Sequence, residues 1–468
     1  MQIEASPVWS KLVIESSELR HKLDQHLSCV IPGIQYSQRY RMARGTWDGR
    51  HHFYSVKTGQ FPTGLMNYAT EIVGDIPIID DTLDTYSDVK RNAIIKANDI
   101  ELIGIRLAEF QRQAIQNATI KSRGAILLPT NSGKTEVCAA LVECYNLPTL
   151  WLVDRKELLY QCSERYSLRT GKKAGIFGDG KNIESESLTV AMVQSLHALM
   201  YTKKKAWLNK FKVLLVDEAA HAQSNSWYSL CLACDAPFRF SLTGSPPRER
   251  LKLFKMFAAT GSEILQERKN AHNIESGWSA KPKIHLYCLN YEPNNLPYRQ
   301  AYDAMIRYNT KYSSLIATQA YDWYKRGKRI LILVEKINQG RLISSELENK
   351  GVRNLFLHGQ AESDKRRSGI EKFRNGEVKV LVASKILSEG VDIPEINVLI
   401  LSAGGLSHGQ QLQRIGRALR KKGGDNTVDI IDYIHSGNKY LAKHSVERIE
   451  LYKREGFEIE WCGEVGMR

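Results

Sequence analysis

The sequence contains no run of about 18 apolar residues, the length a bilayer-spanning helix needs, so no membrane span is expected. Its opening stretch, "MQIEASPVWSKLVIESSEL", carries acids early and no apolar core segment, which argues against a secretory leader. Short-period repeats and low-complexity tracts are lacking too, which excludes solenoid and fibrous architectures. Cysteine is present at eight positions, but only Cys231 and Cys234 form a C-x-x-C pair. A zinc site needs two more ligands at suitable spacing, and none lies nearby. Two small buried residues about one helical turn apart is the reading that pair favours. Scattered, unpaired cysteines fit a reducing compartment, so a cytoplasmic location is expected.

Composition describes a soluble globular protein: 43% hydrophobic and 25% charged over 468 residues, long enough for about three domains. The net charge is +15 and unevenly placed. Residues 1–100 hold 11 Lys and Arg against 12 acids, and the remainder holds 55 against 39. A basic surplus of this size suits a polyanionic partner such as nucleic acid, although charge alone does not separate that from an ordinary basic surface.

Residues 1–95 read as a small α+β domain. Leu19, Leu23, Leu27 and Val30 recur at helical spacing, with Ser16 or Ser17 as the cap. The following "YSQRYRMARGTWDGRHHFYSVKTGQFPTGL" is rich in Arg, Gly and aromatics and reads as short strands and turns. The acidic, turn-rich run Asp75–Asp88 reads as a connector. From Leu107 the texture changes. "GAILLP", "TLWLVD", "SLTVAMV", "FKVLLVDE" and "FRFSLTG" are short apolar runs separated by helical segments. A second set follows: "RILILVE", "VRNLFLHG", "VKVLVAS", "INVLILS" and "TVDIIDY". Continuous apolar runs are the signature of strands buried on both faces in parallel sheets. The expected fold is therefore α/β: two tandem parallel-sheet domains, residues 96–272 and 273–468, joined through the Gly- and Pro-bearing "NIESGWSAKPKI".

"LPTNSGKTEV", Leu128–Val137, lies between the first strand candidate and a helix candidate. That strand–loop–helix context is what a phosphate loop requires. The backbone N–H groups of Thr130, Asn131, Ser132 and Gly133 would face the phosphates, favoured by the helix dipole. Lys134 would reach the β and γ phosphates, and the Thr135 hydroxyl would face Mg²⁺. Leu128 and Asn131 stand where such loops usually carry Gly or Ala; Asn tolerates left-handed backbone better than most residues. A chance Gly-Lys-Thr at a helix start remains open from the loop alone. "VLLVDEAAH" narrows it: Asp217 suits a water-bridged Mg²⁺ ligand and Glu218 a base for water. In "QQLQRIGRALRK", Arg414, Arg417 and Arg420 share a helical face, either a solvated basic surface or arginine fingers for the transferred phosphoryl group.

With these residues in hand, the chain resembles superfamily 2 helicases and translocases from Leu107 to Lys422, with the motifs in family order. "EFQRQAI" is similar to the adenine-reading glutamine motif and points to Gln111. "LVDRKELLYQ", "VAMVQSL" and "LTGSPP" resemble motifs Ia, Ib and III, "RILILVEK" motif IV, "SKILSEGVDIPEINVLI" motif V, and "QQLQRIGRALR" motif VI. The resemblance implies two RecA-like domains with ATP and Mg²⁺ between them. It implies Arg417 and Arg420 as fingers, and Gly390, Asp392 and Gln413 as further nucleotide contacts. "GIFGDGKN", "GTWDGRHHFY" and the run Leu357–Ser384 look most like phage branch-migration helicases of the UvsW type, which would place the protein in a host cytoplasm. One departure is that "DEAAH" sets His221 one position beyond the family's Asp-Glu-x-His, so His221 receives no role.

The resemblance puts DNA contacts at Arg155, Gln194 and Ser195 in the first domain, and at His358, Gly359 and Ser384 in the second. In the N-terminal domain "RYRMARGTWDGRHHFY" gathers four arginines, two histidines and four aromatics. That mixture suits phosphate contact and base stacking by Arg44 and Trp47, or equally a small core with Arg on its exterior. The expected activity is ATP-dependent unwinding or branch migration of branched or forked DNA by a protein that is a monomer when free. An RNA helicase, a double-strand translocase and a catalytically inactive binding module are the alternatives.

Overall fold

The computed structural model describes residues 1–467 apart from 15, 44, 130–131, 200–202, 218–224, 245, 248, 267–279, 361–362, 385–395 and 406–425. The chain forms two compact units, residues 1–128 with 133–268, and residues 129–132 with 269–468. No helix among the described residues is long and apolar enough to cross a membrane.

The N-terminal strands are β1 (Gln2–Ala5), β2 (Trp9–Val13), β3 (Ser28–Val30), β4 (Arg50–His52), β5 (Gln60–Pro62) and β6 (Ile78–Ile79). They form a mixed sheet in the order β5-β2-β1-β6, and a separate β3–β4 ribbon. Helix Ser17–His26 starts where the Ser16 side chain accepts the Leu19 N–H. It ends at Leu27, so Val30 falls in β3 and is exposed, although its spacing extends the helical pattern. The acidic run is ordered as a short helix, Asp81–Thr85, capped by Asp80, and then the start of helix Ser87–Asp99. Capping by short acidic side chains is the physical reason a turn-rich composition forms helix starts here.

The strands that follow are β7 (Arg123–Leu127), β8 (Thr149–Val153), β9 (Gly175–Gly178), β10 (Lys181–Ile183), β11 (Leu188–Met192), β12 (Val213–Val216), β13 (Phe238–Thr243) and β14 (Glu263–Gln266). Their order is β10-β9-β11-β8-β12-β13-β7-β14, parallel except for the β9–β10 hairpin. The two faces of β7 enter different cores: Ala125 and Leu127 one, Ile126 and Leu128 the other. The first of these cores also holds Ile3, Leu12, Leu23 and Phe61 of the N-terminal segment. Phe53 and Tyr68 pack on Phe254 at ring separations of 5.8 and 4.8 Å. The N-terminal segment thus shares apolar core with helix Arg250–Thr260. Cys231 and Cys234 are fully buried in that core, and their carbonyls accept from the buried Arg239 guanidinium. Burial pushes their thiols up to about 12 and about 11, so both keep their protons at neutral pH.

The second unit holds β15 (Lys281–Asn290), β16 (Ile330–Leu333), β17 (Asn354–Leu357), β18 (Val380–Ala383), β19 (Val398–Leu401), β20 (Thr427–His435) and β21 (Glu458–Gly466). They run β17-β18-β16-β19-β20-β15-β21, all parallel. "KPKI", which reads as linker, is the start of β15. Pro282 is paired with Val428 of β20, but the Lys281 N–H faces β20, so the Pro282 nitrogen faces β21, whose pairing begins only at Lys283.

At the end of β20, His435 is fully buried, and neither ring nitrogen has a hydrogen-bond partner among the described residues. Burial, helped by the Arg448 guanidinium, lowers its pKa to about 3. The unfolded chain therefore takes up a proton that the native state refuses, so this contribution to stability is present above about pH 6.5 and is lost as pH falls. Between pH 7 and 5 the loss is about 2 kcal/mol. Urea midpoints for the wild type and His435→Leu measure it: the variant's drop over that range is smaller by this amount.

Candidate functional site

The phosphate-loop segment grows out of β7. Leu128 is fully buried, and its N–H donates to the Thr243 carbonyl at 3.1 Å. The residue that departs from the usual loop start is thus a core residue that extends β7 beside β13. The chain then turns: Ser132 Oγ donates to the Pro129 carbonyl at 2.7 Å. Gly133 takes the left-handed conformation, φ 74° and ψ 38°, and begins helix Lys134–Tyr145. A Cβ at Gly133 would collide with the Gln111 amide nitrogen. Glycine is therefore required there both by backbone geometry and by the approach of Gln111.

Gln111 is buried, and its Oε1 accepts the Ala108 N–H at 2.8 Å, which closes the start of helix Glu109–Lys121. Its amide nitrogen faces Gly133, so Gln111 lies at the N-terminus of the helix that opens with Lys134 and Thr135. That terminus is firmly seated, because the helix behind it is buried on almost every face. Glu136 in its first turn is paired at 3.7 Å with both Arg165 and Arg169, four residues apart on helix Lys156–Thr170. These pairs offset an anionic side chain beside an anion-binding terminus.

Asp217 follows β12, two strands from β7. It is 7% exposed, and its N–H donates to the Leu152 carbonyl at 3.2 Å. Cys162 Sγ lies 3.9 Å from Asp217 Oδ2, a long thiol-to-carboxylate contact. A hydroxyl on Thr135 and a carboxylate on Asp217 are hard oxygen donors, the type Mg²⁺ takes.

Arg155 stands at the N-cap position of helix Lys156–Thr170, and its side chain pairs with Asp154 at 3.4 Å instead of capping the helix. Gln194, in helix Val193–Leu199, donates to the Asp154 carbonyl at 2.9 Å, with Ser195 beside it. These three converge at the C-terminal ends of β8 and β11. In the second unit His358 and Gly359 follow β17, and Ser384 follows the adjacent β18, its N–H donating to the Leu357 carbonyl at 3.0 Å. Each unit thus carries its expected strand contacts at the C-terminal edge of its sheet, where open α/β sheets bind ligands. Trp47 stands edge-on to Tyr40 and is part-buried. Arg44, Thr130, Asn131, Glu218, His221, Gly390, Asp392, Gln413, Arg414, Arg417 and Arg420 lie outside the described residues.

Two family descriptions match, in chain order and each over one of the parallel sheets. "Type III restriction enzyme, res subunit" covers residues 104–248, and "Helicase conserved C-terminal domain" covers residues 310–422. The chain belongs to the superfamily 2 helicases. The helicase hydrolyses ATP. It is similar to the "DNA 3'-5' translocase XPB2" of Sulfurisphaera tokodaii, 26% identical over 71% of this chain and 82% of that one. It is similar also to the "ATP-dependent DNA helicase uvsW" of Enterobacteria phage T4, 23% identical over 93% and 94% of the two chains. Among solved structures, the "ATP-dependent Type ISP restriction-modification enzyme LlaBIII bound to DNA" superposes with a TM-score of 0.59 at 14% identity, over 77% of the helicase and 31% of that chain. This likeness establishes a shared fold. Sequence reading did not single out Glu136, Arg165, Arg169 or Cys162. The i, i+4 arginines were a visible signal, but their target becomes clear only in three dimensions.

Proposed function

We propose that this helicase acts on DNA and remodels branched structures, driving branch migration and unwinding forks, junctions and D-loops. The observation that carries the reading is the extent of the likeness to the T4 helicase, 93% of this chain, which takes in most of the N-terminal segment as well as the two sheets. In this reading residues 1–95 recognise the branch, with Arg44 and Trp47 among the contacts. Arg155, Gln194, Ser195, His358, Gly359 and Ser384 grip the backbone, and the protein works as a monomer when free.

For hydrolysis, Lys134 neutralises the β and γ phosphates, and Gln111 reads the adenine. Thr135 and Asp217 would hold Mg²⁺, partly through water, and the ion would screen the phosphate charge. Glu218 takes the proton of the attacking water as the bond to the β–γ bridging oxygen breaks. Arg417 and Arg420 stabilise the transferred group, with Gly390, Asp392 and Gln413 completing the site.

A double-strand translocase is the second reading; the likeness to XPB2, named a DNA translocase, favours translocation. ATP-dependent processing measured across forks, Holliday junctions, D-loops, linear duplexes and RNA duplexes separates the two. Fastest conversion of the branched DNAs supports the proposal. ATP hydrolysis on linear duplex with no strand displaced, or equal unwinding of RNA, overturns it.

A further inference from the structure

The outer edge of the second sheet carries three side chains of metal-ligating type that the ATPase reading does not use. Glu460 and Cys462 are two residues apart on β21 and so point to one face, and His285 is the register partner of Glu460 on β15. Register brings the imidazole and the carboxylate together, and the thiol joins them from a bulge that β21 makes after Trp461. One ligand atom from each lies within 4.8 Å of the others. His285 Nδ1 is 3.7 Å from Cys462 Sγ and 3.2 Å from Glu460 Oε2. Bond lengths of about 2.0–2.1 Å to nitrogen or oxygen and about 2.3 Å to sulfur place tetrahedral zinc ligands about 3.3 Å apart for N···O and about 3.5 Å for N···S. The observed spacings match both edges.

The surroundings are those of a ligating histidine. Its other nitrogen, Nε2, faces Asp429 Oδ1 at 2.8 Å, and the ring is only 12% exposed. A carboxylate on the far nitrogen fixes the tautomer and leaves Nδ1 as the lone-pair donor. Lys283 Nζ also contacts Glu460 Oε2, at 2.8 Å, but a carboxylate has lone pairs enough for both an ammonium and a metal. Asp429, His285 and Glu460 come from β20, β15 and β21, and β21 is an edge strand whose Trp461 is 63% exposed. Little apolar burial holds it in place, so a cross-strand clip would act where packing is thin.

We propose that His285 Nδ1, Cys462 Sγ and Glu460 bind a zinc ion that ties β21 to β15, with Asp429 positioning the histidine and water in the fourth place. The competing account of the same distances is an imidazolium bridging Asp429 and Glu460 with no metal. The full chain is loaded with Zn²⁺ or Co²⁺ and passed through a desalting column. Expected are one metal per chain and a thiolate-to-cobalt absorption band. The band is lost in Cys462→Ser and retained in Cys288→Ser, zinc affinity falls about 10- to 100-fold in Asp429→Asn, and added zinc raises the melting temperature of the wild type and of Cys288→Ser but not of Cys462→Ser. Circular dichroism of Cys462→Ser matching the wild type shows that the loss is local. No band in the wild type, a band that survives in Cys462→Ser, or equal zinc retention by both overturns the proposal.

Discussion

A Lys134→Ala protein hydrolyses ATP in the presence of DNA at least about 10²- to 10³-fold more slowly than the wild type. In the proposed reading the ammonium would be a fixed charge where the transferred phosphoryl group gathers negative charge, and no other side chain in the described loop would supply one. The first helical residue is half-buried and opens a well-buried helix, so the smaller alanine side chain fits there. The loss is therefore chemical rather than structural, and an unchanged melting temperature checks this. Glu218→Gln separates the next step: it binds ATP and DNA as the wild type does but turns over slowly. Unchanged hydrolysis in either variant refutes the role given to that residue.

Arg448→Met destabilises the second unit by about 3–5 kcal/mol, read as a lower urea midpoint for its unfolding. Arg448 and Asp432 are 4% and 2% exposed and pair at 2.8 Å between Nε and Oδ2. Nη1 donates to the Gly404 carbonyl at 2.8 Å and Nη2 to the Tyr433 carbonyl at 2.6 Å, while the Tyr452 hydroxyl donates to the same carboxylate oxygen at 2.7 Å. Removing the guanidinium leaves a buried carboxylate with two hydrogen bonds, from Tyr452 and the Tyr433 N–H, and strands two carbonyls. The cost lies in the partners left behind more than in the attraction lost. Hence Asp432→Leu combined with Arg448→Met costs less than the sum of the two single changes, because the uncompensated charge is gone.

Neither the Arg448–Asp432 pair nor the burial of His435 is legible in the sequence. All three are ordinary polar residues there, and only the packing of helix Lys439–Arg454 against β20 buries them. The ten continuous apolar runs all became parallel strands, because strands covered on both faces need apolar side chains at every position. Strands with one open side escaped notice. β21 has no buried residue, and β9, β10 and β14 are only 4, 3 and 4 residues long. Gly-Lys-Thr was readable as a helix start facing an anion. That Leu128 belongs to the core rather than to the ligand follows from its hydrogen bond to β13, a pairing distant in sequence. Val30 and Pro282 show the limits of local signals, since spacing and proline each yielded to sheet pairing.

In the proposed function, ATP hydrolysis by this helicase drives strand rearrangement. Displacement of a labelled strand from a synthetic fork, with ATP or with a non-hydrolysable ATP analogue, measures that coupling. Release is expected with ATP and none above background with the analogue. Equal release with both, or hydrolysis of ATP with every strand still annealed, refutes the coupling.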